Sequence, residues 1–194
     1  MNVEETPLSK SYFTQKRVCI IGRLTQEIQK LVLPDLLDAK EIVFVGSLTL
    51  YEEAKKVLMG QSSYSFPKLS HISVSEKKND SPGFALMNNL NAKADLKFDF
   101  IYIKAKLDLG ADALLFSLVD KILEPGGLVA MSDYGWSMAK SPTRNPQKNK
   151  TTAQDYTIEQ IKFNIVREFA SFYLKDCFEL ETANNEVKIF QRAN

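Results

Sequence analysis

Residues 98–136 read FDFIYIKAKLDLGADALLFSLVDKILEPGGLVAMSDYGW: strand, loop, helix, tight turn, strand, then a polar, aromatic end. The first strand is Phe98–Ile103, a short run of aromatic and β-branched residues interrupted only by Asp99. It lacks clean alternation, as a strand covered on both faces should. The helix is expected over 111–123, where Leu114, Leu115, Leu118, Val119 and Ile122 make one apolar stripe. Pro125 cannot continue it, and Gly126-Gly127 permits a turn with positive φ. The second strand is expected over 128–131. Strand, helix and strand with short connections make a right-handed βαβ crossover between parallel strands. Ligands of such sheets bind beyond the carboxyl ends of the strands. The residues to inspect are therefore Lys104 and Ala105 after one strand, and Ser132, Asp133, Tyr134 and Trp136 after the next.

Working outward, the same unit recurs. Residues 17–22 read as a buried strand ending at Gly22, followed by a helix over 25–33 with Thr25 as N-cap, ended or kinked by Pro34. A strand over 41–45 ends at Gly46-Ser47, and a helix over 50–59 follows, with Gly60 as its C′ residue. A third strand covers 69–74 and a short helix 83–90. After the central unit, 137–150 reads as a long basic loop. Residues 152–173 read as the longest helix, striped by Ile158, Ile161, Ile165, Phe169 and Phe172. Strands over 177–182 and 187–192 close the chain as a hairpin turning at Asn184-Asn185. The expected fold is an α/β three-layer sandwich with a mostly parallel sheet, in one domain over 1–194 with 1–16 as a lead-in.

Composition narrows the partners. Lys plus Arg is 25 and Asp plus Glu is 24, so no global field favours nucleic acid or an anionic membrane. No apolar run approaches the ~20 residues that span a bilayer. The start, MNVEETPLSK, lacks the apolar core of a signal peptide. Cys19 and Cys177 sit in strand-like runs and read as reduced core cysteines, which implies a cytoplasmic setting. No Cys/His cluster has zinc spacing, and His71 is the only histidine, so no metal is expected.

Five βα units, a helix and a β-hairpin resemble the class I S-adenosylmethionine-dependent methyltransferases, a Rossmann-like fold with a seven-stranded sheet and an antiparallel C-terminal hairpin. The wording of FDFIYIK and LEPGGLVAMSDYGW resembles the fourth and fifth strands of that family's small-molecule O-methyltransferases. The resemblance covers nearly the whole chain in element order and is most specific over 98–136. It implies S-adenosylmethionine as cofactor and a small-molecule substrate. It places Gly22, Arg23, Gly46, Ser47 and Lys104 at the cofactor, Asp133 and Tyr134 at the chemistry, and Trp136 at the substrate. It also implies that Val187–Arg192 lies beside 128–131.

The amino-terminal half departs from that pattern. On VCIIGRLTQE, Gly22 is kept, but Ile20 replaces an acid and Leu24 and Gln26 replace two glycines. The second strand ends without the carboxylate that holds the ribose hydroxyls, leaving Ser47. Lys104 replaces an aspartate that helps hold a divalent cation in metal-dependent relatives, and an ammonium has no lone pair for a metal. Three readings follow. One is a small-molecule methyltransferase with an atypical cofactor pocket. A second is a catalytically inactive domain serving as a binding or regulatory subunit, with a homo-oligomer or protein partner left open. The third is a protein for another, anionic ligand gripped by Lys104 and the basic loop. In the fold that the resemblance implies, Lys104 and Asp133 leave neighbouring parallel strands at one edge, so an ion pair or water-bridged contact between them is expected.

Overall fold

The computed structural model describes residues 12–60, 67–75, 80–92, 96–104, 109–146, 157–180 and 187–194. The strands are β1 (Arg17–Ile21), β2 (Glu41–Gly46), β3 (Lys68–Ser73), β4 (Phe98–Ile103), β5 (Leu123–Ser132), β6 (Cys177–Leu180) and β7 (Val187–Arg192). The helices are α1 (Gln26–Leu36), α2 (Leu48–Met59), α3 (Pro82–Ala92), α4 (Leu109–Ile122), α5 (Ile158–Lys162) and α6 (Ile165–Tyr173). The strands form one sheet in the order β3-β2-β1-β4-β5-β7-β6. β1 to β5 run parallel, and β7 is antiparallel to both β5 and β6. The expected neighbour of β5 is in place: Ala130 lies opposite Ile189, and Ser132 opposite Val187.

Two half-cores explain the missing alternation in the strands. Val18, Ile20, Ile42, Phe44, Phe100, Tyr102, Leu128 and Ala130 face α1 and α2. Cys19, Ile21, Val43, Val45, Ile101, Ile103, Val129 and Met131 face α3, α4 and α6. Successive residues of one strand thus enter opposite cores, and both must be apolar. Part of the expected lead-in belongs to the first half-core. Phe13 is fully buried edge-on against Phe100 at 5.1 Å, and the Tyr12 hydroxyl donates to the Asp99 carbonyl at 2.7 Å.

Several local expectations change. The proline-glycine-glycine stretch is not a turn ahead of β5 but an irregularity within it. Phe98 faces Leu123 while Phe100 faces Leu128, so residues 124–127 are looped out, with Gly126 at φ 69°. β5 therefore starts at Leu123 rather than at 128. α1 runs through Pro34 to Leu36, because a proline in the last turn costs one i→i−4 bond without stopping the chain. Gly60 caps α2 in the right-handed region, with no positive φ. The long helix expected over 152–173 is broken at Phe163, whose ψ of 131° is extended. Its stripe does not all face inward: Ile161 is buried and Ile165 and Phe169 are half-buried, whereas Ile158 and Phe172 are exposed. In α6 the buried positions are Val166 and Ala170 instead. In the basic loop, Met138–Lys140 forms a 3-10 turn, and buried Asn145 donates to the Ala139 carbonyl at 2.8 Å. The start of the 152–173 helix, the basic residues after 146 and the hairpin turn at Asn184-Asn185 lie outside the described residues.

Candidate functional site

The parallel strands end together. The backbone continues the ladder past each end: Gly22 N–H donates to the Val45 carbonyl, Lys104 N–H to the Ile21 carbonyl and Val74 N–H to the Gly46 carbonyl, each at 2.9 Å. Gly22, Gly46, Ser47, Lys104 and Asp133 therefore stand along one edge, as expected for the ends of parallel strands.

Gly22 has φ 82°, and a Cβ there would lie 2.9 Å from the Lys104 carbonyl oxygen and 3.3 Å from the Lys104 Cβ. Only glycine suits that conformation at that approach. The turn is thus pressed onto the end of β4. Arg23, next in the chain, turns to Glu53 of α2 at 3.9 Å. Leu24 is buried in the half-core under α1.

At the end of β2, Ser47 is buried and is the N-cap of α2, its Oγ accepting the Leu50 N–H at 3.4 Å. The Gly46 carbonyl accepts a second hydrogen bond from His71 Nε2 at 2.9 Å. The imidazole itself stacks on Tyr51, 4.5 Å between ring centres.

Lys104 Nζ and Asp133 Oδ2 form the expected ion pair, joining the ends of β4 and β5. Both side chains are partly shielded, 30% and 20% exposed, so their attraction is only partly screened by solvent. Asp133 has φ 63°, a conformation that Asp and Asn adopt more readily than other non-glycine residues. It opens a tight turn closed by Trp136 N–H donating to the Asp133 carbonyl at 2.9 Å. That turn sends Tyr134 away from Lys104: its ring packs on Phe190 of β7 at 5.6 Å. Burial pushes the Tyr134 hydroxyl above its ordinary pKa, and nearby Glu179 adds to the rise. Trp136 is half-buried beyond the turn.

Sequence reasoning missed a buried hydroxyl chain beneath this edge. Tyr102, fully buried, lies 3.2 Å from Thr25 Oγ1 and donates to Ser132 Oγ at 3.2 Å. Ser132 Oγ in turn donates to the Ile103 carbonyl at 3.4 Å. Thr25 holds the N-cap position of α1, but its hydroxyl makes no capping bond to the helix. The chain links the β1–α1 turn to the residue before Asp133. Burial, the largest influence, raises the Tyr102 pKa against the hydrogen bonds that lower it. The available signal was a tyrosine at a core position of β4, since a buried phenol requires a partner. A second missed tie is Asn164, whose Nδ2 donates to the Tyr134 carbonyl and anchors the break between α5 and α6 to the same edge.

Among the described residues, no group of three or more His, Cys, Asp or Glu could hold a metal ion. The side chains fit S-adenosylmethionine in part. The Gly22 turn leaves backbone at the edge, and the Ser47 hydroxyl keeps a proton to donate, but no carboxylate stands at the end of β2 for a ribose.

No protein-family model and no curated protein matches the sequence. Solved structures do match in shape. A S-adenosylmethionine-dependent methyltransferase from Methanosarcina mazei is 15% identical, with 97% of this chain and 98% of that one covered and a TM-score of 0.52. The O-methyltransferase TomG from Streptomyces achromogenes, involved in tomaymycin synthesis and solved in complex with S-adenosylmethionine, is 13% identical. There the cover is 96% of this chain and 77% of that one, with a TM-score of 0.54. The N-methyltransferase NodS from Bradyrhizobium japonicum is 11% identical over 96% of this chain and 91% of its own, with a TM-score of 0.51. With these matches and its 3-2-1-4-5-7-6 sheet, the chain has the Rossmann-like fold of class I S-adenosylmethionine-dependent methyltransferases.

Proposed function

We propose that this chain is a small-molecule methyltransferase with an atypical donor site, which binds S-adenosylmethionine weakly at the edge between Gly22 and Ser47. The observation that carries the reading is the Gly22 turn, held at φ 82° on the end of β4 within the full methyltransferase sheet order. S-adenosylmethionine supplies an electrophilic methyl group when bound. The chain's own part is positioning, which suffices for much of the acceleration of an in-line displacement. Ser47 Oγ, already accepting from Leu50, donates its proton to a ribose hydroxyl. Asp133 accepts from a hydroxyl of the methyl acceptor and orients it, while Lys104 fixes the carboxylate from the other side. Trp136 supplies apolar surface for the acceptor. Tyr134, packed on Phe190, supports the turn rather than the chemistry.

Losing the ribose carboxylate removes a charge-assisted bond of about 1.5–3 kcal/mol. That weakens the donor by roughly ten- to a few hundred-fold relative to an intact site. A second reading is favoured by the Lys104–Asp133 pair, which engages the carboxylate proposed to orient the acceptor: a binding or regulatory subunit without turnover. Calorimetry with S-adenosylmethionine and S-adenosylhomocysteine separates them. The proposal expects saturable heat with a dissociation constant of roughly 10 µM to 1 mM. No binding at millimolar ligand overturns it in favour of the second reading. A low-micromolar constant shows the donor site to be intact, and removes the atypical site and the second reading together.

A further inference from the structure

α1 and α2 do not close on one another along their whole length. Between them lies an open groove of about 300 Å³, lined by Arg23, Leu24, Gln29, Leu50, Glu53, Ala54 and Val57. Its floor is apolar: Leu24 and Ala54 are buried, and Leu50 and Val57 are half-buried against the same half-core. Its rim carries one opposite-charge pair, Arg23 Nη2 and Glu53 Oε2, 3.9 Å apart with side chains 66% and 53% exposed. Gln29 does not close it, because its amide nitrogen is held by the Leu24 carbonyl at 2.8 Å.

We propose that this groove binds a free amino acid with an apolar side chain, its zwitterion inserted between Arg23 and Glu53. The size comes first. About 300 Å³ is at the lower limit of small-ligand pockets, ~300–1,000 Å³, which suits an amino acid and not a nucleotide. The charges come second. A guanidinium offers a planar fork of donors that matches a carboxylate, and a carboxylate accepts from an ammonium. The two rim groups are therefore complementary to the two ends of a zwitterion, with the four apolar residues left for its side chain. The cost of entry comes third. An exposed ion pair at this separation contributes little, so a ligand that replaces each partner separates them easily.

The groove adjoins the edge at Gly22, since Arg23 and Leu24 follow it in the β1–α1 turn. Its other lining residues, Gln29, Leu50, Glu53, Ala54 and Val57, belong to α1 and α2, so the inference is tested apart from the methyltransferase reading. The experiment is an NMR titration of the full chain with L-leucine, N-acetyl-L-leucine and L-leucinamide. L-leucine should shift the amides of Arg23 to Gln29 and of Leu50 to Val57, with a dissociation constant of about 0.1–1 mM. N-acetylation removes the ammonium and amidation the carboxylate, so each derivative should bind about tenfold more weakly. R23Q should abolish the discrimination against the amide while keeping that against the acetyl derivative, and E53Q should do the reverse. Both changes are at exposed side chains, and unaltered spectra elsewhere would verify the fold. Absence of shifts at 20 mM L-leucine overturns the proposal, as do equal affinities for the three compounds or shifts centred on Lys104 and Asp133. Binding of L-leucine without binding of S-adenosylhomocysteine would sustain this site while removing the methyltransferase reading.

Discussion

At the scale of single residues, the edge is governed by how close its backbones come. Gly22 has to accept both a left-handed φ and the Lys104 carbonyl at 2.9 Å from where a Cβ would sit. A backbone oxygen cannot move aside as a flexible side chain can, so the two penalties act together. Gly22→Ala should lose about 1–3 kcal/mol, read as a lower urea midpoint at unchanged slope. A loss below about 0.5 kcal/mol would mean that the turn relaxes and that its conformation is not imposed by β4. Asp133, also at positive φ, meets no such demand in the sequence, where it reads only as an acid at a strand end.

At the scale of elements, the break between α5 and α6 decides how the last helix meets the sheet. Thr157 and Gln160 form a reciprocal capping box at the start of α5, and Asn164 caps α6 by accepting the Arg167 N–H at 3.0 Å. The same Asn164 side chain donates to the Tyr134 carbonyl. One amide thus fixes both the helix start and its place against the turn after Asp133. Asn164→Ala removes both bonds and should cost about 1–2 kcal/mol. Asn164→Asp keeps the capping acceptor and loses the donor. Amide exchange at Arg167 should therefore accelerate strongly in the alanine variant and little in the aspartate variant. Equal acceleration in the two would show that the tie to Tyr134, and not the cap, holds the helix start.

For the whole molecule, burial sets the dependence of stability on pH. Desolvation raises the Cys177 thiol to about 11, with Asp120 adding to the rise, and it raises Cys19, Tyr12, Tyr102 and Tyr134 above their ordinary values. Each of these groups releases its proton at lower pH in the unfolded chain than in the folded one. Above about pH 9 the folded state therefore binds more protons, and stability falls as pH rises, by at most ~1.4 kcal/mol per unit for each group. Glu41 sets the opposite limb. Burial pushes it up, but hydrogen bonds from Lys68, Ser70 and Arg17 outweigh that and leave its carboxyl below the usual range. Its contribution is present above the unfolded value and is lost as pH falls through the folded one. Urea midpoints should be highest near neutrality and decline both above pH 9 and below about pH 4.5. A midpoint that stays flat from pH 7 to 11 would show that the buried thiols and phenols ionise without unfolding the chain.

The sequence by itself determined the order of elements and the parallel sheet, because strands buried on both faces and helices striped on one must alternate in a βα chain. With the strand order that the family resemblance implies, it also placed Lys104 and Asp133 together at the ends of adjacent strands. Tertiary structure decided the rest. Whether Gly126-Gly127 turns before β5 or bulges within it depends on pairing with β4, which periodicity does not carry. The break at Phe163 is local in sequence, yet the polar anchor that fixes it, the Tyr134 carbonyl, lies 30 residues from its donor Asn164. Thr25 reads in the sequence as a helix cap, and only the approach of Tyr102 makes its hydroxyl the partner of a distant phenol instead. The groove between α1 and α2 is the void left by two helices resting on one sheet, and no single segment encodes it.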